Sequence, residues 1–525
     1  MYDYILRGGT VVDGTSGPSY QADVAIKDGK IAKIAQAIDC AAKEVIDVTG
    51  FAVAPGFIDM HSHSDTSFLE DNRCESRIYQ GVTSEVAGQC GYTIYPCPDD
   101  RMENMRDFAG SDLTYFASAS LQEFMDKVKA KGEQMSTNLI PLIGHGALRC
   151  GVMGYENRKA TPEEIAEMQR LLDRDMQAGA WGVSLGLGYA PGVSSDQEEL
   201  NALGEVVAKY DGIIPSHMRY QNDKTPIALE EMYEINRQTG AHVHISHFKA
   251  SGKKAWGRAP EFVQHVADAR KAGVNVTVDL YPYTAASSGI TNSFPKWAIQ
   301  GGSAKVIERL LGEERQQVID ELNEAFKTQA DGESLYMVST GGRYPIADGK
   351  NIWQLSQELG LSMADTIAKV TVETAAHCSC ISFCMSQEDV DYMLAQSNFA
   401  IGSDGSGLPM AASENEGKPH PRHFGTFPRF LRLAREKGLC SVEDAVRRMT
   451  KLTADMLGMT DRGVLKPGLV ADITVFDPEH VADKATYDSP FQKPVGIEHV
   501  FIAGKPALLH GQQTEHRLGQ FILKH

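Results

Sequence analysis

The sequence predicts an α/β protein: a (β/α)8 barrel joined to a small β-sandwich domain built from both termini. Three observations carry that expectation. Eight apolar, strand-like runs recur through the middle of the chain, each closing on polar residues and separated from the next by helical stretches, and near-continuous apolar strands suit a parallel sheet covered on both faces. The two ends of the chain instead alternate Val, Ile and Tyr with Gly- and Asp-containing turns, a hairpin signature. The length of 525 residues also exceeds what a single compact core holds.

Taken in order, the chain opens with YDYILRGGTVVDG, ADVAIKDGKIAKIAQ and KEVIDVTGFAVAPG, and it closes in the same style with GVLKPGLVADITVFDPEH and GIEHVFIAGKPALLHGQQT. Residues 1–55 with 460–525 are therefore expected to form one β-sandwich domain. The eight barrel strands are read at 56–63 (GFIDMHSH), 83–91 (TSEVAGQCG), 139–149 (LIPLIGHGALR), 181–189 (WGVSLGLGY), 212–219 (GIIPSHMR), 242–249 (HVHISHFK), 275–283 (NVTVDLYPY) and 398–405 (NFAIGSDG). Among the intervening helices, Thr161-Pro162-Glu163-Glu164 is a capping box with Pro at the first helical position, followed by Ile165, Met168 and Leu172 at helical spacing. The barrel span, 56–459, is longer than the roughly 250 residues such a barrel needs. Most of the surplus lies at 284–397, between the seventh and eighth strands. An excursion leaving the C-terminal end of a strand reaches the rim of the site, so it is read either as a lid or as a peripheral elaboration.

Charge and cysteine content exclude several classes. Lys plus Arg is 51 against 69 for Asp plus Glu, a formal net charge of −18, which disfavours a nucleic-acid partner. No apolar run reaches 18 residues, and Asp3 and Arg7 interrupt the N-terminus where a signal peptide needs an unbroken apolar stretch. The expectation is a cytoplasmic protein without a membrane partner; nothing in the sequence speaks to oligomeric state. The nine cysteines are irregularly spaced and odd in number, so they outline no disulfide framework. Cys378, Cys380 and Cys384 are too tightly spaced for a zinc ribbon and read as small buried side chains.

Histidine placement carries the chemistry. His61 and His63 end the first strand, His217 the fifth, His247 the sixth, and Asp404 the eighth. Residues two apart on a strand point to the same side, so His61 and His63 can converge inside the barrel mouth, at the end where this architecture places catalysis. An HxH pair is weak alone. Five ligand-type residues at four strand ends point to a metal site, and imidazoles with a carboxylate suit zinc. His242 and His244 share parity with each other and not with His247, which makes them structural.

Long ordered motifs then add a resemblance. APGFIDMHSHSD after a β-rich start and GVLKPGLVADITVFD near the end resemble the amidohydrolase superfamily. GVTSEVAGQCGYTIYP, LIGHGALR, GVSLGLGYAPG, SHMR, ISHFKASG, LYPYTAASS, GSDG and HPRHFGTFPRFL resemble its N-acyl-D-amino-acid deacylase (D-aminoacylase) branch. The resemblance runs nearly the whole chain. It implies a TIM-like metallohydrolase barrel in which Cys90 supplies a thiolate ligand beside His217 and His247 at a tightly held Zn2+, with His61, His63 and Asp404 as a second, weaker or empty site. WGVSLGLGY lacks the bridging Lys of many superfamily members, and a thiolate at Cys90 can replace that negative ligand.

The implied activity is hydrolysis of the amide bond of an N-acyl-D-amino acid to a carboxylate and a free D-amino acid, with Asp404 as general base and acid. A free substrate carboxylate wants a cation, and Lys249 lies two residues past His247 on the same strand face. The resemblance implies that Lys249, Tyr281 and Ser287 hold that carboxylate and that Tyr189 and Arg422 line the pocket; His145 reads as a supporting or packing residue. One departure is the run Tyr220-Gln221-Asn222 after HMR, where the branch often carries acidic residues. The alternatives are a cyclic amidase resembling dihydroorotase or hydantoinase, disfavoured by Cys90 and the missing Lys, and a deacylase of another N-acyl compound. A scaffold that has lost its chemistry would be expected to have lost ligands, and all six are retained.

Overall fold

The structure is a computed structural model that describes residues 1–101, 116–328, 332–411 and 417–525. Eight parallel strands form its centre: Phe57–Ser62, Val82–Ala87, Asn138–Pro141 continued by Ile143–Gly144, Val183–Gly186, Ile213–His217, His242–Ile245, Val276–Leu280 and Ala400–Ile401. Each pairs in parallel with its sequence neighbour from the first strand to the third and from Ile143–Gly144 to the last. A parallel bridge between Ser62 and Gly405 closes the ring. The strands are almost entirely buried, as a barrel filled inside and sheathed by helices requires.

The helix Pro162–Gln177 starts where the sequence signals it. Oγ1 of Thr161 accepts from the backbone N–H of Glu164, whose side chain accepts in return from the N–H of Thr161. The third strand is shorter than the sequence suggests. It ends at Gly144, and the HGALR stretch becomes the start of the helix His145–Met153. Gly144 is where the chain turns, and a Cβ there would come within 2.5 Å of the backbone oxygen of Gly91.

Both chain ends contribute to one nine-stranded sheet that includes Tyr2–Val11, Tyr20–Lys27, Ala52–Pro55, Ile473–Phe476, Ile497–Ile502 and Lys505–Leu509. A bridge between Lys30 and Val470 curls it over its own core, which holds Val24, Ile46, Val475 and Phe501. Between the seventh and eighth barrel strands, Ala286–Gly289, Leu335–Ser339 and Ser379–Ser382 form a small antiparallel sheet. It belongs to a separate apolar cluster that includes Phe294, Leu310, Ile352 and Ile367. Cys378 and Cys380 are buried in that cluster with their Sγ atoms 3.6 and 3.7 Å from Sδ of Met337, so they pack as small apolar residues. The end of this stretch returns to the barrel: the carboxylate of Asp389, on the helix Gln387–Leu394, accepts from the backbone N–H groups of Gly257 and Ala259.

Candidate metal centre and substrate cavity

The C-terminal ends of the barrel strands bring together His61, Cys90, His247 and Asp404, whose ligand atoms all lie within 4.8 Å of one another. Nε2 of His61 is 3.4 Å from Sγ of Cys90 and 3.4 Å from Oδ1 of Asp404. Nε2 of His247 is 3.4 Å from the same Sγ, and Nδ1 of His217 lies 3.0 Å from that Nε2 and 4.0 Å from the Sγ. His63 reaches Oδ1 of Asp404 at 3.1 Å. All six residues singled out as ligands are thus in one place.

Local backbone conformation aims three of them. Cys90, His247 and Asp404 have φ of 56°, 38° and 53°, the left-handed region that costs a non-glycine residue about 1 kcal/mol or more. Each lies just past the end of its strand, where a left-handed residue turns the chain. The strain is held by specific bonds: the N–H of Asp404 donates to the carbonyl of His61, and that of His247 donates to Oδ1 of Asp279.

Asp279, on the seventh strand, is a functional residue that sequence reasoning missed. Its Oδ2 lies 3.4 Å from Nδ1 of His61 and 2.7 Å from Nε2 of His244, and the carboxylate is fully buried. His244 continues the chain of contacts through Nδ1 to Oγ1 of Thr277 at 2.8 Å, and Thr277 to Nε2 of His242 at 2.7 Å. The two histidines read as structural are therefore joined to the ligand cluster through Asp279. An acidic residue inside the apolar run VTVDLY was the available signal. Asp59 is a second such case: buried beneath His61, it accepts from the Ser403 hydroxyl and faces Arg77. Burial raises its carboxyl to about 6 despite the nearby guanidinium.

The donor set fits a borderline divalent ion such as zinc. Burial pushes the Cys90 thiol up, but the neighbouring His61 and His247 outweigh it and hold the thiol well below its ordinary value. Burial likewise opposes ionisation of Asp404, and Arg422 with His247 holds it well below the usual carboxylate range. A buried thiolate and carboxylate gathered with several imidazoles form a donor set suited to a cation. His61 also has the arrangement that ligating histidines adopt, one nitrogen on the cluster and the other facing a carboxylate.

Around the cluster opens a cavity of about 1030 Å3 lined by His63, Cys90, Tyr189, His217, His247, Lys249, Ser287, Asp404 and Arg422. The hydroxyl of Tyr189 lies 2.8 Å from Nδ1 of His217. Nη1 of Arg422 donates to Oδ2 of Asp404 at 2.7 Å and Nη2 to the carbonyl of Ser287 at 3.5 Å. Tyr281 is buried against Lys249 and accepts from its Nζ at 3.0 Å. Burial disfavours the Lys249 cation, yet Tyr281 and Asp404 outweigh it and raise the group above its ordinary value. His145 is buried away from the cluster against Glu199 at 2.6 Å. Gln221, in the segment that departs from the branch pattern, places Nε2 3.4 Å from Nδ1 of His247.

Comparison with known proteins agrees with this geometry. Residues 44–315 and 402–507 match the Amidohydrolase family. The chain is 33% identical to a D-aminoacylase of Alcaligenes xylosoxydans xylosoxydans over 525 residues, covering 100% of this chain and 98% of that one. It is 33% identical to an N-acyl-D-aspartate deacylase of the same organism, covering 99% and 95%. Among solved structures, the N-acyl-D-glutamate deacylase of Bordetella bronchiseptica, complexed with zinc and a phosphonate mimic of the reaction's tetrahedral intermediate, aligns over all of both chains with a TM-score of 0.84 and 30% identity. A barrel with ligand residues at its strand ends defines a metal-dependent hydrolase scaffold, and the chain belongs to the amidohydrolase family. Among the described residues no helix is long and apolar enough to cross a membrane.

Proposed function

We propose that the protein is a zinc-dependent hydrolase that cleaves the amide bond of N-acyl-D-amino acids, releasing a carboxylate and a free D-amino acid. The observation that carries this reading is the convergence of His61, Cys90, His247 and Asp404 within 4.8 Å, in a family whose full-length relatives include such deacylases. Cys90, His217 and His247 would hold the tightly bound ion, with His61, His63 and Asp404 beside them as a weaker site. When bound, zinc lowers the pKa of water toward about 7 and polarises the amide carbonyl.

Asp404 then takes the proton of the attacking water and delivers it to the departing amine nitrogen, which leaves poorly unless protonated. Arg422 grips Oδ2 of Asp404 and leaves Oδ1 toward His61 and His63, which orients the carboxylate for that transfer. Lys249, steadied by Tyr281, supplies the charge that receives the substrate carboxylate, with Ser287 beside it and Tyr189 forming the wall at His217. The cavity lining holds six cationic side chains, Arg219, Lys224, Lys249, Lys254, Lys296 and Arg422, against four carboxylates and the Cys90 thiolate. With a bound divalent cation added, this local balance offsets the net charge of −18 and favours an anionic substrate.

The deciding experiment is hydrolysis of a panel of N-acetyl-D- and N-acetyl-L-amino acids with zinc content measured on the same sample. Turnover of D substrates by zinc-loaded protein is expected; selective turnover of L substrates, or activity independent of metal, overturns the assignment. In the same reading, residues 1–55 with 460–525 form the β domain, 56–459 the barrel, and 284–397 an insertion that serves as a lid. Ser287, Phe294, Lys296 and Glu321 of that segment line the cavity, and a phosphonate analogue should slow proteolysis within it; an unchanged rate argues for a fixed wall. Cys90 must stay reduced to bind metal, which supports a cytoplasmic setting, to be checked by cell fractionation.

A further inference from the structure

A separate cluster of ligand-type side chains lies on the sheet built from the chain ends. The strand Ile497–Ile502 runs antiparallel to Ile473–Phe476 with a shift in register: Val475 faces His499, and Phe476 faces Ile497. Glu498 is therefore an extra residue opposite no partner, a β-bulge. Neighbouring residues of a regular strand point to opposite faces, and the bulge re-aims them, so that Glu498 and His499 act on one side.

The third member comes from the hairpin between Lys505–Leu509 and Gln512–Gln513. Its two turn residues, His510 and Gly511, have φ of 46° and 65°, the left-handed pair that a tight hairpin needs and that Asn or Gly adopts at lower cost. The turn is tied to the bulge, since the N–H of Gly511 donates to the carbonyl of Glu498 at 2.8 Å and that of His510 approaches Nδ1 of His499 at 3.4 Å. The imidazoles of His499 and His510 stand 4.8 Å apart, and Nδ1 of His510 is 3.7 Å from Oε1 of Glu498. The ligand atoms of all three lie within 4.8 Å of one another.

We propose that Glu498, His499 and His510 form a binding site for a borderline divalent metal ion such as Zn2+, distinct from the barrel cavity and linking the bulge to the hairpin turn. Ligands around tetrahedral zinc stand roughly 3.3 Å apart, given Zn–N and Zn–O distances of about 2.0–2.1 Å. The side chains of His510 and Glu498, 71% and 32% exposed, have room to rotate toward that spacing. His499 is buried at 1% exposure and anchors the site. Two imidazoles and one carboxylate leave one position to water, so the ion is exchangeable and ties two loops together without reaching the cavity.

The test uses the full chain with its barrel zinc in place and Zn2+ alone as probe. Equilibrium dialysis and metal analysis compare wild type with His510→Ala and Glu498→Gln, both at accessible positions, so neither depends on replacing the buried His499. Wild type should take up one zinc equivalent more than either variant, or bind that equivalent at least tenfold more tightly. Added Zn2+ should raise the melting temperature of wild type only, and hydrolysis by both variants should stay within about twofold of wild type. If both variants retain the same extra equivalent at the same affinity, the site does not exist. Loss of hydrolysis in all three proteins would count against the proposed reaction and leave this comparison intact.

Discussion

Asp404 is held by contacts that divide its two oxygens: Arg422 on Oδ2, and His61 and His63 on Oδ1. A carboxylate fixed in this way can move protons with little reorganisation, and positioned general acid–base groups contribute about 10²–10⁴-fold to rate. Asp404→Asn should therefore lower kcat by about a thousandfold while zinc stays bound through Cys90, His217 and His247. Kinetics and metal analysis on one preparation check this, and near-normal turnover would remove Asp404 from proton transfer. Cys90 is tested by the opposite pattern. Its Sγ is the shared neighbour of His61, His217 and His247, so Cys90→Ala should weaken zinc binding more than tenfold, read by competition with a chelator.

At the scale of an element, the strands His242–Ile245 and Val276–Leu280 do more than enclose the core. Their inward residues form a chain of contacts from His242 through Thr277 and His244 to Asp279, which meets His61 and the backbone of His247. Partners of this kind orient metal ligands, and their loss typically costs 10–100-fold in affinity or activity. His244→Phe keeps the bulk and leaves Asp279 without its 2.7 Å donor. Zinc affinity should fall about tenfold or more, with kcat at saturating zinc largely retained; unchanged affinity would reduce His244 to packing. Of this arrangement the sequence shows the alternation of the strands, which depends on local periodicity. It does not show that Asp279 faces His61, because that contact joins strands more than two hundred residues apart.

At the scale of the whole molecule, several histidines are buried neutral outside the metal cluster. Burial lowers His242 and His423 to about 3 and His499 to about 4, and Nδ1 of His423 accepts from the N–H of Ser406. In the unfolded chain each titrates near 6.5. Below that pH the unfolded state takes up protons that the folded state does not, so stability falls as pH drops from 6.5 toward the folded values. The slope is on the order of 1.4 kcal/mol per pH unit for each such group. Urea unfolding of metal-depleted protein should show its midpoint falling steadily between pH 6.5 and 5; a constant midpoint would contradict the neutral assignment.

The sequence by itself determined the barrel, the β-rich ends and the identity of the ligand-type residues, because strand periodicity, turn chemistry and capping boxes act over a few residues. It misread the third strand, where Gly144 ends the extended chain and HGALR turns helical, since a short apolar run fits either form. Only the tertiary structure decided the rest: the left-handed backbone that aims Cys90, His247 and Asp404, the Asp279 contacts behind them, the Arg422 grip on Asp404, and the bulge and hairpin turn that bring Glu498 and His499 to His510. These depend on closing the ring between Ser62 and Gly405 and on register between distant strands, and neither is encoded in any local stretch of residues.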